Sequence, residues 1–204
     1  MAPLNVLIVG VGGQGNVVAS EIIASALAAG GYHVSVGETF GASQRGGSVM
    51  SHVRAATDRS PAPLIPRGRV DVLIGFEPLE VVRALTEHAR PGTRVLMNPR
   101  PVYPIAVQVG SARYPAPEEL EATARRLASE VLVVPATELA REAGDLRAQN
   151  IAMVGAAAGT GWLPIEDALV ERVLADRFAD ELLALNLRAF RLGRDAVRAL
   201  AVAR

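Results

Sequence analysis

The 204-residue sequence contains no cysteine. That absence excludes thiolate ligation of an iron–sulfur cluster, a cysteine zinc site, a disulfide and a thiol nucleophile together. Any cluster this protein works with must therefore sit on another chain. Lysine is missing as well, so all 21 basic residues are arginine. A Schiff-base lysine and the phosphate-binding lysine of a Walker loop are thereby excluded. Neither sign of charge is in excess: 21 basic residues face 21 acidic ones with no long block of either, which gives no reason to expect a nucleic-acid or anionic-membrane partner. No run of about 18 apolar residues occurs, and the Ala-rich stretch from Ile151 to Trp162 is too short to span a bilayer. It reads as a buried helix. Met1-Ala-Pro-Leu-Asn5 leads straight into an apolar strand without a secretion-type segment, so a cytoplasmic location is expected.

Half of the residues are apolar, enough for one substantial core, and a single domain over 1–204 is expected. Leu4 to Val9 is a β-branched run closed by Gly10. Asn16 to Ala29 then has helical spacing and stops at Gly30-Gly31. Further strands are expected at Tyr32–Val36, Ser48–Arg54, Val70–Phe76, Val95–Asn98, Ile105–Val109 and Val131–Val134. Helices are expected at Pro78–Ala89, Pro117–Ser129 and Thr137–Ala143, the last capped by Thr137. Two helical stretches follow, Arg147–Gly159 and Ile165–Leu200, the second with breaks near Arg177 and Gly193. This alternation predicts an α/β fold: a doubly wound, Rossmann-like domain with a mostly parallel sheet over 1–145 and a helical C-terminal part over 146–204.

Gly10-Val-Gly-Gly-Gln-Gly15 follows a strand and opens a helix, so Gly10, Gly12, Gly13 and Gly15 form a glycine turn in the context where that spacing has meaning. Amides at the helix start would attract an anion. Glu38, just past the expected second strand, is where a dinucleotide site would put a carboxylate for ribose hydroxyls. A stand-alone NAD-type domain is thus one reading. The next loop, Phe40-Gly-Ala-Ser-Gln-Arg-Gly-Gly47, has no ordinary use in a dehydrogenase. Both loops leave the C-terminal ends of strands, so in a parallel sheet they converge on one edge. Gln14, Gln44, Arg45, Gly46 and Gly47 are the candidate contact residues there, and no catalytic or metal-ligating residue is assigned. The plainer alternative is that Gln14 caps a turn and Arg45 is a solvated loop residue.

Val-Gly-Val-Gly-Gly-Gln-Gly at 9–15, Ser-Gln-Arg-Gly-Gly-Ser-Val at 43–49 and Ser51-His-Val-Arg54 resemble the γ-type domain of 2-oxoacid:ferredoxin oxidoreductases. The Gln-Arg-Gly-Gly form is similar to the β subunit of the indolepyruvate branch. The match runs on through Asp71–Glu80, Asn150–Gly155 and Asn186–Phe190. The resemblance implies oxidative decarboxylation of a 2-oxoacid to acyl-CoA and carbon dioxide, with electrons passing to ferredoxin. It also implies a large partner subunit that carries thiamine diphosphate, magnesium and [4Fe-4S] clusters, with CoA as cosubstrate. This chain would bear none of these cofactors, because it lacks Cys and the Gly-Asp-Gly…Asn-Asn pattern of thiamine enzymes. Glu38-Thr-Phe-Gly-Ala departs from the branch's Glu-Val-His-Gly-Met form, which leaves another aromatic or branched 2-oxoacid open beside aryl pyruvates.

Among other residues, His33, His52 and His88 have no metal spacing. Only His52, in the strand leaving the second loop, is a candidate contact. Glu118, Glu119 and Glu121 suit a helix start electrostatically. Asn150, near Arg147, could bond back to the glycine loops or serve structure alone. The apolar helix after Ile165 calls for a partner or a fold-closing role.

Overall fold

The computed structural model describes residues 2–41 and 47–202. Six strands form one sheet: β1 (Leu4–Val11), β2 (His33–Phe40), β3 (Ser48–Ala56), β4 (Val70–Gly75), β5 (Ala89–Met97) and β6 (Glu130–Val133). Their order is β2-β3-β1-β4-β5-β6. The β1–β4, β4–β5 and β5–β6 pairs are parallel. β3 is antiparallel to both β1 and β2, so it alone runs against the other five, and the mostly parallel sheet is borne out. Because two reversals restore direction, the C-terminal end of β2 shares an edge with that of β1.

Side-chain alternation along β1 shows how the faces are filled. Val6 and Ile8 point into one layer with Ile22, Ile23, Leu27, Ile151 and Phe190, whereas Leu7 and Val9 point into the other with Val81, Leu85 and Ala124. Each of the buried Val, Leu, Ile and Phe side chains among these contributes about 1.5–3 kcal/mol relative to exposure. The helices divide accordingly. α2 (Pro78–His88) and α4 (Pro117–Leu127) cover one face; α1 (Asn16–Ala29), α5 (Ala136–Ala143), α6 (Gln149–Gly159), α7 (Asp167–Arg177) and α8 (Asp180–Val202) build the other.

The helical third closes the fold. In α6 the nine residues from Asn150 to Ala158 are all buried, with α1 and α5 beside it and α8 packed against it. The α6–α8 crossing is very close: a Cβ on Gly155 would lie 1.9 Å from the Phe190 carbonyl oxygen, and one on Gly193 1.9 Å from that of Ala152. Glycine is required at both because backbone meets backbone. This explains why α8 continues through Gly193, where the sequence suggested a break: the residue serves an approach, not a stop. The break near Arg177 is real. Past the end of α6, the Arg94 guanidinium of β5 sits 5.2 Å from the ring centre of Trp162.

Three other expectations are corrected. Ile105–Val109 is not a strand; Ile105–Gln108 is a short helix, α3, started by Pro104, whose carbonyl accepts from the amides of Val107 and Gln108. The place beside β5 belongs to β6. β2 reaches Phe40, four residues further than expected, because its ladder with β3 extends to the Phe40–Val49 pair. Thr137 does not cap α5, whose N-cap is Pro135. It is buried, accepting from Asn98 Nδ2 (3.1 Å) and donating to Gln149 Oε1 (3.2 Å).

Candidate functional site

The glycine turn occupies the four residues between β1 and α1. Gly13 (φ 100°) and Gly15 (φ 84°) adopt the left-handed conformation that glycine tolerates best. Gln14 is buried, and its side chain is engaged at both ends. Oε1 accepts from the Val11 amide (2.7 Å), while Nε2 donates to the Phe76 carbonyl (3.0 Å) at the end of β4. A Cβ on Gly10 would stand 2.7 Å from Gln14 Oε1, so Gly10 leaves room for that amide. The turn is thus tied to the sheet from below, and Gly13 is its exposed residue.

Asn150 comes from the opposite end of the sequence. Its Nδ2 donates to the Gly15 carbonyl (3.4 Å), and a Cβ on Gly15 would fall 2.5 Å from that nitrogen. Asn16 donates to the Val49 carbonyl (3.2 Å) at the start of β3. The Gly12 amide donates to the Gly47 carbonyl (2.9 Å), so the glycine turn and the exit of the second loop are joined directly. Gln44, Arg45 and Gly46 lie outside the described residues.

A cleft of about 460 Å³ opens over the turn, lined by Gly13, Gln14, Gly15, Arg100, Val102 and Arg147, with Pro101, Leu146 and Gln149 completing it. Arg147 holds Asp145 through Nε (2.9 Å) and a terminal nitrogen (2.6 Å). Arg100 makes no ion pair among the described residues. Arg100 thus brings a positive charge to the cleft that no carboxylate among the described residues takes up, whereas that of Arg147 is shared with Asp145. Arg100 went unnoticed in the sequence; its signal was a basic residue inside the Pro99–Pro104 connection leaving a strand's C-terminal end.

Glu77 holds that connection in place, and it too was missed. It caps α2, accepting from the Glu80 amide (2.9 Å), and its other oxygen accepts from the Val102 amide (3.3 Å) and the Tyr114 hydroxyl. Only 1% exposed, its carboxyl is pushed above the usual range by burial, which outweighs the lowering by those donors. Burial, then Glu77 itself, pushes the Tyr114 hydroxyl upward. Glu77-Pro78 at a helix start is a capping signature, but nothing local revealed its long-range donors.

The remaining candidates serve structure. Glu38 lies within β2 and accepts from Ser20 (3.1 Å) and Ser51, not past a strand end as expected. His52 is 3% exposed; its Nδ1 accepts from the Ile65 amide (3.3 Å). Burial first, then His88 and Arg54, push it down to about 4, so it is neutral at pH 7. No group of His, Asp and Glu able to hold a metal occurs among the described residues, and none of their helices is long and apolar enough to cross a membrane. The cleft suits an anion or a partner surface; its lining includes no Ser, Thr, His, Asp or Glu and so no nucleophile–base pair.

Residues 5–196 match the family described as pyruvate ferredoxin/flavodoxin oxidoreductase. Indolepyruvate oxidoreductase subunit IorB of Archaeoglobus fulgidus is 39% identical over 93% of each chain. Among solved structures, the 2-oxoglutarate:ferredoxin oxidoreductase of Magnetococcus marinus, with 2-oxoglutarate, coenzyme A and succinyl-CoA bound, superposes with a TM-score of 0.72 and 26% identity over 98% of this chain. The present chain spans 32% of that one. The γ subunit of a keto/oxoacid ferredoxin oxidoreductase from Geobacter sulfurreducens shares the fold, with a TM-score of 0.70 at 19% identity over 96% of this chain and 99% of that one.

Proposed function

Since the chain belongs to the pyruvate ferredoxin/flavodoxin oxidoreductase family, we propose that it is the cofactor-free γ-type subunit of an indolepyruvate or aryl-pyruvate:ferredoxin oxidoreductase. With a large partner subunit it completes an enzyme that converts a 2-oxoacid and CoA to acyl-CoA and carbon dioxide and reduces ferredoxin. The reading rests above all on near-full-length similarity to an indolepyruvate oxidoreductase subunit. An iron–sulfur cluster does not fit this chain, which has no Cys, and no metal group for thiamine diphosphate occurs among its described residues. Thiamine diphosphate, magnesium and the clusters therefore belong to the partner.

What this chain contributes is binding and assembly, in the cytoplasm. Gln44, Arg45, Gly46 and Gly47, with the turn of Gly10, Gly12, Gly13 and Gly15 that Gln14 holds from within, form its contact edge toward partner, substrate or CoA. The bond from Gly12 to Gly47 and the Arg100–Arg147 cleft support this reading, because they place backbone amides and cations on one edge. A stand-alone NAD-type domain is less favoured, since Glu38 is occupied by two serines.

The test is co-purification with the partner subunit, followed by CoA-dependent reduction of ferredoxin with indolepyruvate, phenylpyruvate and a branched 2-oxoacid. The complex is expected to turn over and the isolated chain to be silent. Arg45→Ala should lower kcat/KM or weaken association about ten-fold, the effect of losing one charge-assisted bond. Turnover by the isolated chain, or submillimolar NAD binding, would overturn the proposal.

A further inference from the structure

At the edge of the sheet opposite the glycine turn, four arginines gather where the strands begin. A recess of about 340 Å³ is lined there by Asn5, Arg54, Arg69, Asp71 and Arg90 together with the N-terminal Ala2-Pro3 and Pro66. It adjoins a second recess, also lined by Pro3 and Arg54, that Asp58 and Arg59 flank. The topology explains the gathering. Arg54 is near the end of β3, the strand running against the rest, and lies opposite Asn5 in the β1–β3 ladder; Asp71 and Arg90 begin β4 and β5.

The floor is held by a connected set of bonds. Arg54 Nε donates to Asn5 Oδ1 (2.8 Å), and the Asn5 amide donates to Asp71 Oδ2 (2.8 Å). Asn5 Nδ2 donates to the Arg69 carbonyl (2.8 Å), and the Arg90 guanidinium donates to Asp71 Oδ1. One terminal nitrogen of Arg54 donates to the carbonyls of Ala62 and Leu64. Arg54 is thus half-buried and fixed in direction, yet meets no carboxylate. Its other terminal nitrogen and the guanidinium groups of Arg59 and Arg69 have no acceptor among the described residues. The recesses therefore carry four cations against the two carboxylates of Asp58 and Asp71, and Asp71 is taken by Arg90.

We propose that this pair of recesses is a binding site for a phosphate group, free or carried on a small molecule, gripped by Arg54, Arg59 and Arg69. Planar forks of donors on a preorganised floor suit an anion with several oxygens at tetrahedral angles. The site is separate from the cleft over the glycine turn, which lies at the far ends of the same strands.

The experiment uses the full chain and inorganic phosphate as probe, by calorimetric titration and thermal melts, against acetate and chloride at equal ionic strength. Arg59 and Arg69 have exposed side chains, so Arg59→Ala/Arg69→Ala should fold as wild type by circular dichroism. Phosphate is expected to bind and raise Tm, the double variant to weaken it about ten-fold or more, and Arg172→Ala, an exposed arginine of α7 outside the recesses and the cleft, to leave it unchanged. No response to phosphate beyond that to chloride overturns the proposal, and an equal response to acetate overturns the phosphate assignment. Loss of binding in Arg100→Ala with retention in the double variant would move the anion to the glycine turn and equally refute it.

Discussion

Replacing Gly193 by alanine sets intrinsic helix preference against packing. In an exposed helix the change stabilises by about 0.8–1 kcal/mol. Here the new methyl would lie 1.9 Å from the Ala152 carbonyl oxygen, whereas ordinary contact begins at 3.4 Å. α8 must therefore retreat by about 1.5 Å, the difference between the two distances, or the carbonyl must turn out of the α6 ladder. A gap of that size forfeits a quarter to a half or more of each van der Waals well across the seam. Overpacking costs about 1–3 kcal/mol, and the upper end applies because the atom struck is backbone in a buried helix. After the propensity gain, a net loss of about 2 kcal/mol remains, which lowers Tm by about 4–8 °C for a chain of this length. The assay is urea and thermal unfolding followed by circular dichroism, with Gly155→Ala in parallel. Gly155→Ala strikes a different carbonyl, that of Phe190, across the same seam, and one retreat of α8 relieves both, so the double variant should lose less than the sum of the singles. An unfolding midpoint raised in Gly193→Ala would refute the close approach.

His52 makes stability pH-dependent. The unfolded chain takes up a proton near the ordinary value of 6.5 and the folded chain only near 4, so stability is full above pH 6.5 and drains away as pH falls toward 4. The gap of 2.5 units caps the loss at about 3 kcal/mol; solvent screening brings the expectation to about 2 kcal/mol. Urea midpoints between pH 7 and 4 should fall, with His52→Gln flattening the slope; a flat wild-type profile would rule this out. Tyr114→Phe removes a donor to buried Glu77 and should cost about 1.5–3 kcal/mol. It should also speed amide exchange across 100–113; unchanged exchange there would show that the Glu77 tether does not hold the segment.

Legibility in the sequence followed the range of the interaction. The glycine turn could be read because strand, Gly10–Gly15 and helix lie within one local stretch, and the apolar run at 151–158 correctly indicated burial. Where a partner is distant, local pattern failed. Ile105–Val109 has the composition of a strand, yet the sheet position beside β5 is filled by β6. Thr137 has the local look of a cap, but its hydroxyl is used by Asn98 and Gln149. Gly193 has the look of a helix stop and is instead the contact point of two helices. The sequence around Asn150 is compatible with a bond to the glycine loops or with structure alone, because its bond to Gly15 spans 135 positions. Arg100 and Glu77 acquire meaning only when the connection after β5 is laid over the turn after β1.

The pairing of Trp162 with Arg94 gives the molecule one optical reporter, because the chain has no second tryptophan. The indole stands at the exit of α6, toward the sheet edge where strands begin, while the glycine turn lies where α6 starts. Its emission therefore monitors the junction between sheet and helical third, and a ligand settling over the glycine turn without moving the backbone leaves it silent. A change in emission when a partner docks at that turn would mean that displacement has travelled down α6.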